Sequence, residues 1–308
     1  MPEPWLYLQA MGAAAIVSLS LVLLTVQMWS RVSAGWLNVV CLLGIGAGLA
    51  CGDCLLSLRL AWPPVSGRDR LWLVIVPAVF CIEAVAGFPR VPRWNAWTLR
   101  LSLIAAIPGI LLSGSVYLNG MEGQWELWQS GVILSVCSLL LAGVWIPLAM
   151  LSARPGGAAI PLAVCLTTQC GGLAVMMAGY IGGGAAAFPW TGATLAALMG
   201  ILLIRRPDTD HRIATARAMT GVGVAAMFGM LFIGRFFGEL PTGSALTMLL
   251  APLLCLVTEW LPLRHRQPWL IGTVRLLLVA IPLIVVLLLA KLDFDREMAP
   301  LLENVEQP

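Results

Sequence analysis

The sequence predicts an all-α, polytopic integral membrane protein of about ten transmembrane helices, and three observations carry that prediction. Of its 308 residues, 60% are apolar and 11% charged, against about a quarter charged in soluble domains. The apolar runs are mostly near twenty residues long, about what an α-helix needs to cross roughly 30 Å of hydrocarbon. All the tryptophans except Trp145 fall at or near the ends of those runs, where an amphipathic ring prefers the headgroup level. Ten-residue stretches of alternating hydrophobicity are absent, which excludes a transmembrane β-barrel.

Ten spans follow in order. The first runs Leu6 to Met28 and the second Trp36 to Leu60; a turn with Pro63 and Pro64 leads to the third, Leu71 to Phe88. A basic, Trp-bearing linker precedes the fourth, Leu101 to Leu118, and an acidic loop precedes the fifth, Gln129 to Leu151. After the break Ser152-Ala153-Arg154-Pro155-Gly156-Gly157 come the sixth, Ile160 to Ile181, and the seventh, Pro189 to Ile204. The eighth runs Ala218 to Phe237, the ninth Ser244 to Leu261 and the tenth Trp269 to Ala290. An acidic tail, 291–308, closes a single transmembrane domain. Five spans on each side of the break, in halves 1–151 and 160–290, raise an inverted five-plus-five repeat, because an odd number of helices per half reverses topology. Ile146-Pro147-Leu148 and Ile281-Pro282-Leu283 match in kind and place, although Ile160-Pro161-Leu162 shows how common that tripeptide is here. Ten helices in a chain of this length are similar in size and number to the drug/metabolite transporter superfamily. No motif carries the comparison further.

Charge patterning supplies orientation. Eleven basic residues, including Arg31, Arg90, Arg93, Arg100, Arg154, Arg205, Arg206, Arg212, Arg217, Arg264 and Arg266, fall in loops on one side; five, Arg59, Arg68, Arg70, Lys291 and Arg296, fall on the other. The positive-inside tendency then places both termini outside the cytoplasm, in the expected setting of a bacterial inner membrane. The Arg59 to Arg70 loop runs against that bias. A net charge of +3, spread over short loops, leaves no nucleic-acid footprint. The start has Glu3 and no basic residue before the first apolar run, so a cleavable signal peptide is not expected.

The stretch expected to organise the fold is Gly44 to Cys54. Gly44, Gly48 and Gly52 recur every four residues, so on a helix they form one bare ridge against which another backbone can approach. Asp53 follows directly. An acid inside an apolar helix should face protein or a water-filled cavity, which makes Asp53 the leading candidate. Glu83, Glu259, Arg235 and Arg275 are the other intramembrane charges that matter. At 1.5 Å per residue Asp53 lies near the depth of Arg235, and Glu83 near that of Arg275. Each pair would neutralise itself, although Glu259 is the nearer hairpin partner for Arg275. Alternatively, Asp53 and Glu83 face one cavity as a proton or sodium site.

A second candidate is Thr167, Thr168 and Gln169, followed by Cys170, Gly171 and Gly172 near mid-membrane. A discontinuous helix would need such residues to line a site; plain packing, with the hydroxyls bonded one turn back, is the weightier alternative. Gly182, Gly183 and Gly184 would end the same span and let it move as a gate. Third, Cys51 and Cys54 form a C-x-x-C, the spacing of a membrane dithiol. The adjacent Asp53 carboxylate would disfavour the negative charge of an attacking thiolate. The eight cysteines otherwise read as small buried hydrophobes. No sequence motif for a metal, cofactor or hydrolase is present, the sole lysine being Lys291.

The expected function is that of a secondary permease for a small solute, with ion coupling. The alternatives are a non-catalytic membrane subunit or scaffold, with a protein partner or a second copy, and a thiol oxidoreductase using Cys51 and Cys54. The expected partners are the bilayer and a small solute or ion.

Overall fold

A computed structural model describes residues 4–28, 34–58, 60–115, 117–118, 125–154, 156–203, 209–260 and 267–303. Arg31, Arg59, Arg205, Arg206, Arg264, His265 and Arg266 lie outside the described residues, as do the side chains of His211 and Arg212 and the tail beyond Glu303. Among the described residues the chain is mostly helical and has no strand, and nine helices are long and apolar enough to cross a membrane. A tenth span is assembled from pieces.

The spans are α1 (Pro4–Met28), α2 (Ala34–Leu55), a third that begins with the single turn α3 (Gly67–Arg70), α5 (Arg93–Leu112), α6 (Leu127–Leu151) and α7 (Ala159–Met177). The third continues through a π-helical turn, Leu71–Ile75, into α4 (Val76–Ala86). Pro77 explains the wide turn: it has no N–H to return to residue 73, and its ring collides with that carbonyl in a regular helix. The seventh span is α8 (Ile181–Ala185) followed by α9 (Ala187–Leu203); the eighth is α10 (Thr209–Phe236). The ninth is α11 (Thr242–Leu250), then a 3-10 stretch, Ala251–Glu259, that starts where Pro252 removes a donor. The last, α12 (Pro268–Glu303), runs on through the acidic stretch that follows Ala290.

Several boundaries differ from the hydropathy reading. The fourth span starts at Arg93, eight residues before Leu101, which brings Arg100 inside a helix. Polar first turns are invisible to a search for apolar runs. The second ends at Leu55, not Leu60, and Ser57 follows with φ +54°. Gly182, Gly183 and Gly184 do not end the sixth span; they lie in α8, which opens the seventh.

The organising element is α10 rather than the Gly44 to Cys54 stretch. Its spanning segment is buried on every side, from Met219 through Ala225, Ala226 and Met227 to Ile233. A helix apolar all round belongs in a core, and α10 packs on α7, α6, α2 and α4, drawn from both halves of the chain. The glycine row instead makes a local three-helix seam. A Cβ at Gly44 would stand 3.2 Å from Ser18 O, at Gly48 2.5 Å from Ala14 O, and at Gly52 3.1 Å from Ala10 O, all on α1. Helix α9 closes the seam, where Ser18 Oγ donates to Ala193 O at 2.9 Å. The first and sixth spans, which a five-plus-five duplication would equate, differ in their principal neighbours: α1 packs on α9 and α2, α7 on α10 and α12. The structure does not confirm the duplication.

Candidate functional site

Ionisable groups are buried at both ends of the bundle. At the end that carries the termini, α2 brings in Asp53, two residues before its last residue. Asp53 is 7% exposed and its Oδ1 has no hydrogen-bond partner. The basic residue within electrostatic reach is Arg68 of the turn α3. That turn is fixed by a reciprocal cap: Ser66 Oγ accepts from Asp69 N and Asp69 Oδ2 accepts from Ser66 N, both at 3.1 Å. Burial by itself would raise the Asp69 carboxyl, but the Ser66 hydrogen bonds, a backbone bond from Ala61 and the Arg68 charge hold it below the usual range. Tyr180, at the start of the seventh span, lies within electrostatic reach of Arg68 and Asp69. A Cβ on neighbouring Gly182 would come 3.1 Å from Arg68 Nη1.

At the opposite end Glu83 of α4 meets Arg100 of α5. Arg100 Nε donates to Oε1 at 2.8 Å and Nη2 to Oε2 at 2.6 Å. Glu83 is 1% exposed and Arg100 5%, so this is a two-pronged pair removed from solvent. The Trp97 ring holds the guanidinium from another side, 5.2 Å from its centroid. Glu83 can sit this deep because Gly221 of α10 leaves room: a Cβ there would lie 2.6 Å from Oε1. Beside the pair is a cavity of about 110 Å³, lined by Asn38, Glu83, Arg93, Trp97, Arg100 and Arg217 among others. Buried Asn38 accepts a 2.7 Å hydrogen bond from Thr215 Oγ1 of α10.

These contacts revise the expected pairings. Arg235 is exposed, donates from Nε to Thr242 Oγ1 at 2.6 Å and lies over the Phe236 ring, so it is not the partner of Asp53. Arg275 does not meet Glu83 but Glu259, the hairpin partner that the sequence also offered. Its Nη2 donates to Glu259 Oε1 at 2.9 Å, its Nε to Thr258 Oγ1 at 2.9 Å and its Nη1 to Gly156 O at 3.1 Å. Glu259 also pairs with Arg154. Nor do Asp53 and Glu83 share a cavity. Asn38 lines the Glu83 cavity, and Asp53 lies fifteen residues further along the same helix, roughly 22 Å at 1.5 Å per residue.

The mid-membrane polar cluster is built into a continuous helix. Thr167 Oγ1 donates to Ala163 O at 2.9 Å and Thr168 Oγ1 to Val164 O at 2.8 Å, one turn back. Gly171 packs under Leu231 and Met230, and Gly172 against Ala187. Gln169 keeps a buried Oε1 without a hydrogen-bond partner, whereas both threonine hydroxyls are bonded. Cys51 and Cys54 are free thiols, the first half-buried and the second exposed. Among the described residues no cluster of His, Cys, Asp or Glu is placed to hold a metal ion.

Sequence reasoning missed Arg68, Arg100, Arg217 and Asn38. Arg100 had a usable signal, since Glu83 and Arg100 flank a turn bounded by Pro89 and Pro92, which brings the two helices side by side. Arg68 had none, because its approach to Asp53 depends on how the loop folds back. The chain matches no family model, and no curated protein matches it in sequence.

Proposed function

We propose that this chain is a secondary permease for a small solute, coupled to protons or sodium through Asp53. The observation that carries the proposal is the state of Asp53, a buried carboxylate with an oxygen that no protein group satisfies. A carboxylate kept only for packing would be fully paired, because a buried unpaired charge costs several kcal/mol. A coupling carboxylate must instead be free to take up and release its ion.

Other features support the same function. The π turn beside Pro77, the 3-10 stretch at Pro252 and the break between α8 and α9 place weak points in three spans. The Gly44, Gly48 and Gly52 row acts as a glycine zipper, a smooth surface for movement of α1 and α9. The ionic clusters at the two ends serve as gates, and Gln169 contributes to the solute path. The excess of basic loop residues in the sequence, eleven opposite the termini against five beside them, supports a cytoplasmic-membrane protein with both termini outside.

The test is accessibility. In a chain stripped of its native cysteines, Asp53→Cys is labelled in vesicles with a membrane-impermeant maleimide from each face. Labelling from one face, altered by the ion gradient, together with loss of gradient-dependent solute uptake in Asp53→Asn, is the expected result. A folded protein that resists labelling from both faces would overturn the proposal, and a stoichiometric partner retained in mild detergent would favour a subunit role.

A further inference from the structure

We propose that the cavity beside the Glu83–Arg100 pair binds a phosphate group, presented either as a free small phosphate or as the headgroup of an anionic lipid. Three guanidinium groups, Arg93, Arg100 and Arg217, line this space of about 110 Å³ against the single carboxylate of Glu83. Arg100 is committed to Glu83 through both oxygens. Arg217 is half-buried, and its Nε is buried without a hydrogen-bond partner. Arg93 stands exposed at the rim.

Among the described residues, neither Arg217 nor Arg93 has a carboxylate paired with it, in a space partly withdrawn from water. Like charges held together at low dielectric repel, and an unpaired buried guanidinium loses its hydration. An oxyanion removes both penalties: its oxygens accept from the Arg217 and Arg93 forks, the geometry for which arginine outperforms lysine. Neutral polar groups complete the wall. Asn38 has its carbonyl oxygen tied to Thr215, and its amide nitrogen lies against Gly87, where any Cβ would overlap it. Trp97 and the Glu83 carboxylate keep the Arg100 guanidinium engaged, so the ligand is directed to Arg217 and Arg93. The volume is well below the 300 Å³ or more of a drug-sized site, which limits the occupant to a phosphate or a headgroup and excludes burial of a larger solute.

Binding is measurable without transport, so this site and the permease function stand or fall separately. The full chain in phosphatidylcholine nanodiscs is titrated calorimetrically with inorganic phosphate. In parallel, nanodiscs containing phosphatidylglycerol are examined for retained lipid by native mass spectrometry. Arg217→Gln should weaken binding at least tenfold, Arg217→Lys should restore part of it, and Arg235→Gln should leave it unchanged. Saturable phosphate binding that follows this order identifies a free-anion site; retained phosphatidylglycerol that follows it, without phosphate binding, identifies a headgroup site. Equal binding by wild type and Arg217→Gln in both arms, with both proteins folded by thermal melting, overturns the proposal.

Discussion

Removing Arg100 should destabilise this protein more than removing Glu83, and removing both charges should cost less than removing Arg100 alone. In Arg100→Met, the Glu83 carboxylate, 1% exposed in the native protein and set against Gly221, loses both hydrogen bonds that hold it and keeps only the small cavity beside it. Loss of one partner from a buried pair typically costs 3–5 kcal/mol. Arg217 lies within electrostatic reach of Glu83 and recovers part of the loss, so about 3 kcal/mol is expected. Glu83→Gln leaves Arg100, whose longer side chain can turn toward the cavity and its exposed rim; about 1–2 kcal/mol is expected there. The double variant Glu83→Gln/Arg100→Met leaves neither member of the pair charged without the other, so a coupling of at least about 1 kcal/mol should emerge from the cycle. The assay is reversible unfolding in mixed micelles for the four proteins at one lipid-to-detergent ratio. Additive single effects would refute the reasoning, since additivity means that the two groups do not interact directly.

At the glycine seam, Gly48→Leu should cost at least about 2 kcal/mol by overpacking, because its Cβ would stand 2.5 Å from Ala14 O and 2.9 Å from Ala193 Cβ; Gly12→Ala, inside a helix with open space around it, should be neutral to slightly stabilising in the same thermal melts. Asp53→Asn should leave the melting temperature unchanged or higher while abolishing ion-dependent flux, since it removes a charge that lacks a full set of partners; a large loss of stability would assign Asp53 to structure instead. For Asp69 the folded carboxyl lies below its ordinary value, so its stabilising contribution is present above the unfolded value of about 3.9 and is lost as pH falls through the folded one. The stability difference between wild type and Asp69→Asn should accordingly hold from neutral pH down to about pH 4 and vanish below it, as followed by thermal melts across that range.

Apolar run length and tryptophan placement are local properties, and they were enough to determine the class of protein and its ten spans. A helix in hydrocarbon must satisfy its own backbone hydrogen bonds, so each span is legible without reference to its neighbours. The glycine row was legible too, as a surface that another backbone would approach; that the approaching helices are α1 and α9 was not. Centrality was also decided by tertiary structure. Helix α10 is no more apolar than the outer helices, and in lipid an apolar face gives no sign of whether it meets acyl chains or protein. Partner choice among the charges was the hardest to read. Depth along a helix suggested Asp53 with Arg235 and Glu83 with Arg275, but pairing depends on rotation about each helix axis and on where polar first turns begin. Arg100 was hidden in a linker by the hydropathy of the residues after it, and Arg68 comes within electrostatic reach of Asp53 because Ser66 and Asp69 fold their turn back onto the bundle. The sequence by itself thus determined which residues are costly to bury, and the packing of the helices decided which of them were given partners.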